Sequence, residues 1–184
     1  NDNNCMQGFL VFDIFKFFVE NPYEDVYLRE LAKKSGLSTF AVKKYADFLL
    51  KEGLILEERK ANLRYFRANV SNCFFKHLKV SYSIYGLSRS GFVDFLKERV
   101  ANISSIVLFG SMAKGEDDKS SDVDLLIIGK KRPLDLRKFE ERLHKRITVH
   151  LFSWSEWNKK AVDDKPFYFE VIGNGIALYG EMPL

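Results

Sequence analysis

Only two cysteines occur in this 184-residue chain, Cys5 and Cys73. They have no metal-binding spacing and make no disulfide framework. That scarcity points to a reducing, cytoplasmic setting. No apolar run approaches the roughly 20 residues that a membrane-spanning helix needs, so no membrane partner is expected. Residues 1–5 are polar and lack the basic n-region of a secretory signal. The first residue is not Met, and these leading residues are set aside in reading the fold. There is no internal repeat and no low-complexity linker. Nor is one charge dominant: 29 Lys and Arg face 25 Asp and Glu, a net +4. That balance permits contact with nucleic acid without requiring it.

What is present is apolar and rich in phenylalanine. Hydrophobic residues make up 46% of the chain, with 17 Phe against 8 Tyr and 2 Trp. The length suits one ordinary domain or two small ones, with enough apolar surface to bury a core. From Gln7 to Glu20 the spacing of Phe9, Leu10, Phe12, Ile14, Phe17 and Phe18 predicts a helix, ended by Asn21-Pro22. Val26-Tyr27 reads as a minimal strand. Leu28 to Ser35 reads as a short helix stopped by Gly36. Ser38 is placed to cap a third helix, Thr39 to Lys51. Leu54 to Glu58 and Arg64 to Ala68, separated by Lys60-Ala61-Asn62, predict a hairpin.

This order, with the turn Ser35-Gly36-Leu37-Ser38 before an amphipathic helix, resembles a winged helix-turn-helix. Charge is distributed accordingly. Residues 28–70 hold ten Lys or Arg and five Asp or Glu, whereas residues 1–27 hold one basic and five acidic residues. Lys33, Lys34, Lys43 and Lys44 lie on the helices, and Arg59, Lys60, Arg64 and Arg67 on the hairpin. The resemblance implies a duplex DNA partner. Ser38, Thr39 and Lys43 would reach base edges, Lys44 would lie beside them, and Lys60 and Arg64 would meet phosphates. The bland alternative is that these charges only solvate exposed faces.

Residues 71–85 predict a linking helix, with Phe74, Phe75, Leu78, Tyr82 and Tyr85 at helical spacing. A further helix is expected from Leu87 to Val100, on the stripe Phe92, Phe95, Leu96 and Val100. The expected divisions are a winged-helix domain over 7–70, a linking helix over 71–86, and a second domain over 87–184.

The second domain carries the chemistry. An apolar run, Ile103 to Phe109, ends in Gly110-Ser111. A polar loop follows, and Asp122-Val123-Asp124 then opens a second apolar run, Leu125 to Ile128. In a strand, residues i and i+2 face the same way, so Asp122 and Asp124 present two carboxylates on one side. Such a pair suits a divalent cation, Mg²⁺ or Mn²⁺, that keeps its other positions for water and phosphate. Gly110 lets backbone approach a phosphate, and Ser111 offers a hydroxyl and an N–H at a helix start. Lys114 can add charge. Glu116, Asp117 and Asp118 read as solvated loop charges.

Leu108-Phe109-Gly110-Ser111-Met112-Ala113-Lys114-Gly115, with Ser121-Asp122-Val123-Asp124-Leu125-Leu126 after it, resembles the nucleotidyltransferase fold of the DNA polymerase β superfamily. It is most like the minimal nucleotidyltransferases of archaea and bacteria. Lys114 stands where that family usually has Arg. The resemblance spans roughly residues 87–180. It implies an α+β chain: a winged helix-turn-helix followed by a small α/β nucleotidyltransferase domain with a mixed sheet. It also implies transfer of a nucleoside monophosphate from an NTP to a hydroxyl of a protein or small molecule. Asp122 and Asp124 would serve as metal ligands and catalytic residues, and Gly110, Ser111, Lys114 and Ser121 would meet the nucleotide. In toxin-paired members of the family the acceptor can be the partner protein.

Many members have a third carboxylate on the next strand. After a predicted helix, Leu134 to Lys145, whose Glu140 and Glu141 read as surface residues, the strand Ile147 to Phe152 puts His150 at that position. A neutral imidazole can act as a base near neutral pH. It cannot add the negative charge that a hard metal site prefers. A satisfied strand histidine is an equal reading. Three functions therefore stand side by side: an active transferase, a DNA-binding regulator whose transferase fold binds nucleotide or mediates assembly without turnover, and a winged helix used to dock protein.

Overall fold

A computed structural model of the chain describes residues 3–184, with side chains described from Val11 onward. The chain divides into two compact units, residues 1–76 and 77–184. The helical content, the strands and a mixed sheet make it an α+β protein. Among the described residues no helix is long and apolar enough to cross a membrane.

The first unit holds α1 (Asn3–Glu20), β1 (Val26–Tyr27), α2 (Leu28–Ser35), α3 (Thr39–Lys51), β2 (Ile55–Lys60) and β3 (Leu63–Ala68). The three strands form an antiparallel sheet in the order β1-β3-β2. Gly36 closes α2 in the left-handed conformation that glycine adopts at least cost. The Ser38 hydroxyl accepts a hydrogen bond from Ala41 N and starts α3. Buried Ile14, Phe18, Leu31, Val42, Leu49 and Phe66 make up the core of this unit. Phe9 and Leu10, predicted on the buried face of α1, lie outside the described side chains. Phe12 does not belong to that face: it is 58% exposed, whereas Phe15 is buried and packs edge-on against Phe75.

The second unit begins within α4 (Cys73–Arg89) and continues with α5 (Phe92–Arg99). The predicted break at Gly86 is absent. Buried Val80 and Leu87 and half-buried Ile84 carry one apolar stripe past Gly86, and burial of that stripe outweighs the ~1 kcal/mol helix cost of glycine. The break falls instead at Gly91, whose φ of 74° ends the helical run.

Next come β4 (Ser105–Phe109), α6 (Gly110–Lys114), β5 (Val123–Ile128), α7 (Arg137–Leu143), β6 (Ile147–Phe152), α8 (Trp154–Asp163), α9 (Lys165–Asn174) and β7 (Ile176–Gly180). Helix α7 is shorter than expected. Asp135 binds the Arg137 side chain and amide in a local turn, and left-handed His144 ends the helix. The sheet order is β6-β5-β4-β7, with β5 and β6 parallel and the other pairs antiparallel. Alternation along β4 and β5 divides the core between the two faces. Ile106, Leu108, Val123, Leu125 and Ile127 pack with Leu96, Phe92 and Phe139. Val107, Phe109, Leu126 and Ile128 pack with Trp157 and Val171. Both central strands are thus apolar on both sides, leaving their ends to carry polar chemistry.

Candidate functional site

Strand β4 ends at Phe109, which is paired in register with Asp124 of β5. Immediately after it, Gly110 has φ 72° and opens α6. A Cβ on Gly110 would stand 2.5 Å from Asp124 Oδ2, so the glycine is required twice, by backbone conformation and by the carboxylate beside it. Ser111 follows in the first turn of α6, where the N–H groups have no intrahelical acceptor.

Val123 is fully buried in one face of the sheet, which turns Asp124 to the other, and Asp122 stands just before the strand, close enough for its charge to act on Asp124. Burial pushes the Asp124 carboxyl above the ordinary aspartate value, and the charge of Asp122 pushes it further. His150 opposes that rise weakly. The sheet register pairs His150 with Leu126. Its ring lies 5.6 Å from Phe109 and 5.1 Å from Phe167, centroid to centroid. Burial lowers the His150 pKa, the Asp124 charge raises it and Lys160 lowers it again. Its net shift is downward from an ordinary value of 6.5, which keeps the imidazole neutral at pH 7.

Lys114 is partly exposed and forms an ion pair with Glu170 of α9 at 3.1 Å. The Ser121 hydroxyl is engaged within its own loop: it accepts from Asp118 N at 2.9 Å and donates to Asp118 Oδ1 at 3.1 Å. The acidic loop is not uniformly solvated. Asp117 is only 4% exposed and is paired with Lys79 of α4 at 2.9 Å. Sequence reasoning missed Lys79 because it stands among apolar residues on a helix taken as linker. The available signal was a lysine set directly between Leu78 and Val80. Glu140 is also not a plain surface residue, since it accepts from Ile147 N at 3.0 Å at the start of β6.

Among the described residues no group of three His, Cys, Asp or Glu is arranged to hold a metal. The Asp122/Asp124 pair nevertheless fits a hard divalent cation. Its chemistry is all-oxygen, and its mutual repulsion and partial burial are what a cation would relieve.

The candidate DNA residues lie in the first unit. Ser38 is occupied as the α3 cap, while Thr39, Lys43 and Lys44 are exposed. Phe40, beside them, is 81% exposed, and Phe48 is exposed on the same helix. Lys60 is paired with Asp25 at 2.9 Å and Glu58 at 3.3 Å. Arg64 binds Asp47 and Glu57, each at 2.7 Å.

Three solved structures are similar to part of the chain. One is the crystal structure of a toxin-antitoxin with AMP-PNP, 19% identical, matched over 49% of this chain and 71% of that one, with a TM-score of 0.36. The others are two mutant forms of the toxin-antitoxin MntA-HpeT. They are 14% and 16% identical, cover 49% and 50% of this chain and 71% and 72% of theirs, and have TM-scores of 0.38 and 0.37. No curated protein sequence matches. Residues 89–168 match the family model described as the nucleotidyltransferase domain, so the stretch that holds Gly110, Ser111, Asp122, Asp124 and His150 is similar to that domain.

Proposed function

We propose that the second unit binds a nucleoside triphosphate with a divalent metal at Asp122 and Asp124 and transfers its nucleoside monophosphate to a hydroxyl. The observation that carries this reading is the packing of Gly110 backbone against the Asp124 carboxylate, at the start of α6, within the matched nucleotidyltransferase segment. Asp122 and Asp124 would hold Mg²⁺ or Mn²⁺, which when bound supplies Lewis-acid stabilisation of phosphoryl charge. Gly110 and Ser111 contribute backbone approach, an N–H and a hydroxyl to the phosphates. Lys114 can serve them only after exchanging its Glu170 partner. Ser121 acts by holding the loop that presents Asp122.

His150, neutral and packed against two aromatic rings, adds no negative charge to the site. Turnover in this reading is slow, and the acceptor is a protein or small-molecule hydroxyl, a paired toxin among the candidates. The test is to incubate the protein with each labelled NTP, Mg²⁺ or Mn²⁺ and cell lysate. A labelled product that disappears in Asp122→Asn with Asp124→Asn supports transfer. Metal-dependent NTP binding without any product supports a nucleotide-binding regulator. Unchanged metal-dependent binding in the double variant rejects the site.

The first unit is read as a winged helix-turn-helix that binds duplex DNA through α3. The element order α1, β1, α2, α3, β2, β3 and the exposed Thr39, Lys43 and Lys44 support it. The ion-paired Lys60 and Arg64 give it less support, because each brings its own counter-charge to the hairpin.

A further inference from the structure

The loop between α6 and β5 is fastened from below by charge. Lys79 is 1% exposed. Its ammonium lies 2.9 Å from Asp117 Oδ1 and also donates a hydrogen bond to the Asp117 backbone carbonyl, so it holds both the side chain and the main chain of this residue. Lys145, after α7, lies 3.5 Å from Asp117 Oδ2. It donates to the carbonyls of Asp118 and, at 3.2 Å, Ser121. Asp118 accepts from Ser120 N and from the Ser120 and Ser121 hydroxyls, which closes the turn. The next residue is Asp122, and Val123 N is then bound to Arg146 O at 2.8 Å.

A buried ion pair is a weak source of stability, because desolvation offsets its attraction. What this pair contributes is direction. Both lysines bind main-chain carbonyls of the loop, and two of those carbonyls, Asp118 and Ser121, lie within four residues of Asp122. We propose that Lys79 and Lys145 are positioning residues for the metal–nucleotide site, holding residues 117–121 so that Asp122 is presented beside Asp124. The proposal rests on the reading of that site given above. Neither lysine touches the nucleotide in it; they act on the loop, as outer partners of metal ligands do.

The test separates positioning from stability. Lys79→Met leaves buried Asp117 with only the more distant Lys145 as partner, and a folding defect is expected. Lys79→Met with Asp117→Leu removes both charges, so the melting temperature returns toward wild type while the hold on the carbonyl stays lost. Calorimetry with MgATP on this full-length double variant is expected to give an affinity at least about tenfold weaker than wild type. Amide exchange at Asp122 and Val123 should be faster. Lys145→Met, at a less buried position, is expected to weaken MgATP several-fold with little change in melting. It decides the matter if the double variant does not fold. Wild-type MgATP affinity in a folded double variant, or in Lys145→Met, overturns the positioning role. Absence of metal-dependent ATP binding in the wild type overturns the reading of the site and this role with it.

Discussion

The Oδ2 of Asp124 occupies the space a side chain on Gly110 would need: a Cβ there would lie 2.5 Å away. Gly110→Ala must therefore displace the carboxylate as well as strain a backbone at φ 72°. The expected loss is about 1 kcal/mol or more of stability by denaturant unfolding. It should come with a tenfold or greater weakening of MgATP binding by calorimetry. A stability loss with unchanged affinity would show that Asp124 is not part of the nucleotide site.

Asp124 is held above the ordinary aspartate pKa by burial first and by Asp122 second. The folded protein therefore favours its protonated form. Such a carboxyl costs stability as pH rises from the unfolded value through the folded one, and that cost remains at pH 7. Metal-free Asp124→Asn should thus melt above wild type at pH 7. The gap should narrow as pH falls toward the ordinary value of 3.8. Mg²⁺ should raise the melting temperature of wild type and leave the variant unmoved. A variant that melts lower at pH 7 would mean that the carboxylate is already satisfied within the fold.

His150→Asp would introduce a carboxylate near Asp124 and against Phe109 and Phe167. It should lower the metal-free melting temperature, since a second charge is desolvated next to the first. With Mg²⁺ present it should raise labelled nucleotidyl transfer to a permissive acceptor several-fold. A folded variant with unaltered transfer would place residue 150 outside the metal site.

The DNA reading makes unequal demands on its cations. Lys43 is exposed, whereas Lys60 and Arg64 are each held in ion pairs. Lys43→Ala should flatten the salt dependence of duplex binding by about 0.9 of a slope unit. Lys60→Ala with Arg64→Ala should weaken binding to all duplexes about equally. It should flatten the slope by less than two full contacts would, because Asp25, Glu58, Asp47 and Glu57 already neutralise these cations. Fluorescence anisotropy across a salt series measures both. If wild type shows no salt-dependent duplex binding even at low ionic strength, the unit is a protein-docking surface, for which exposed Phe40 and Phe48 on α3 are the natural anchors.

Local signals carried far along this chain. Ser38 with the apolar spacing after it marked α3 to the residue, because capping and helical periodicity are properties of a few consecutive residues. The apolar runs also marked where β4 ends, at Phe109, and where β5 ends, at Ile128, although β4 starts at Ser105 and not at Ile103, and Asp122 falls just before β5. Gly86 misled because a glycine is a local breaker, whereas Ile84 and Leu87 on either side of it are stabilised by sequence-distant partners such as Ile106 and Leu125.

The amino-acid order by itself determined the succession of elements, the Gly-Ser turn and the paired aspartates, since each depends on neighbours within a turn or a strand. Only the tertiary structure decided what those groups face. It set Asp124 against Gly110, packed His150 against the mutually contacting rings of Phe109 and Phe167, joined Lys114 to Glu170, and buried Lys79 on Asp117 across 38 residues of chain. Charges in a sequence look alike whether they end in water or against a partner. Burial and the partner's identity are set by which elements pack together, and that is a long-range outcome of sharing one core.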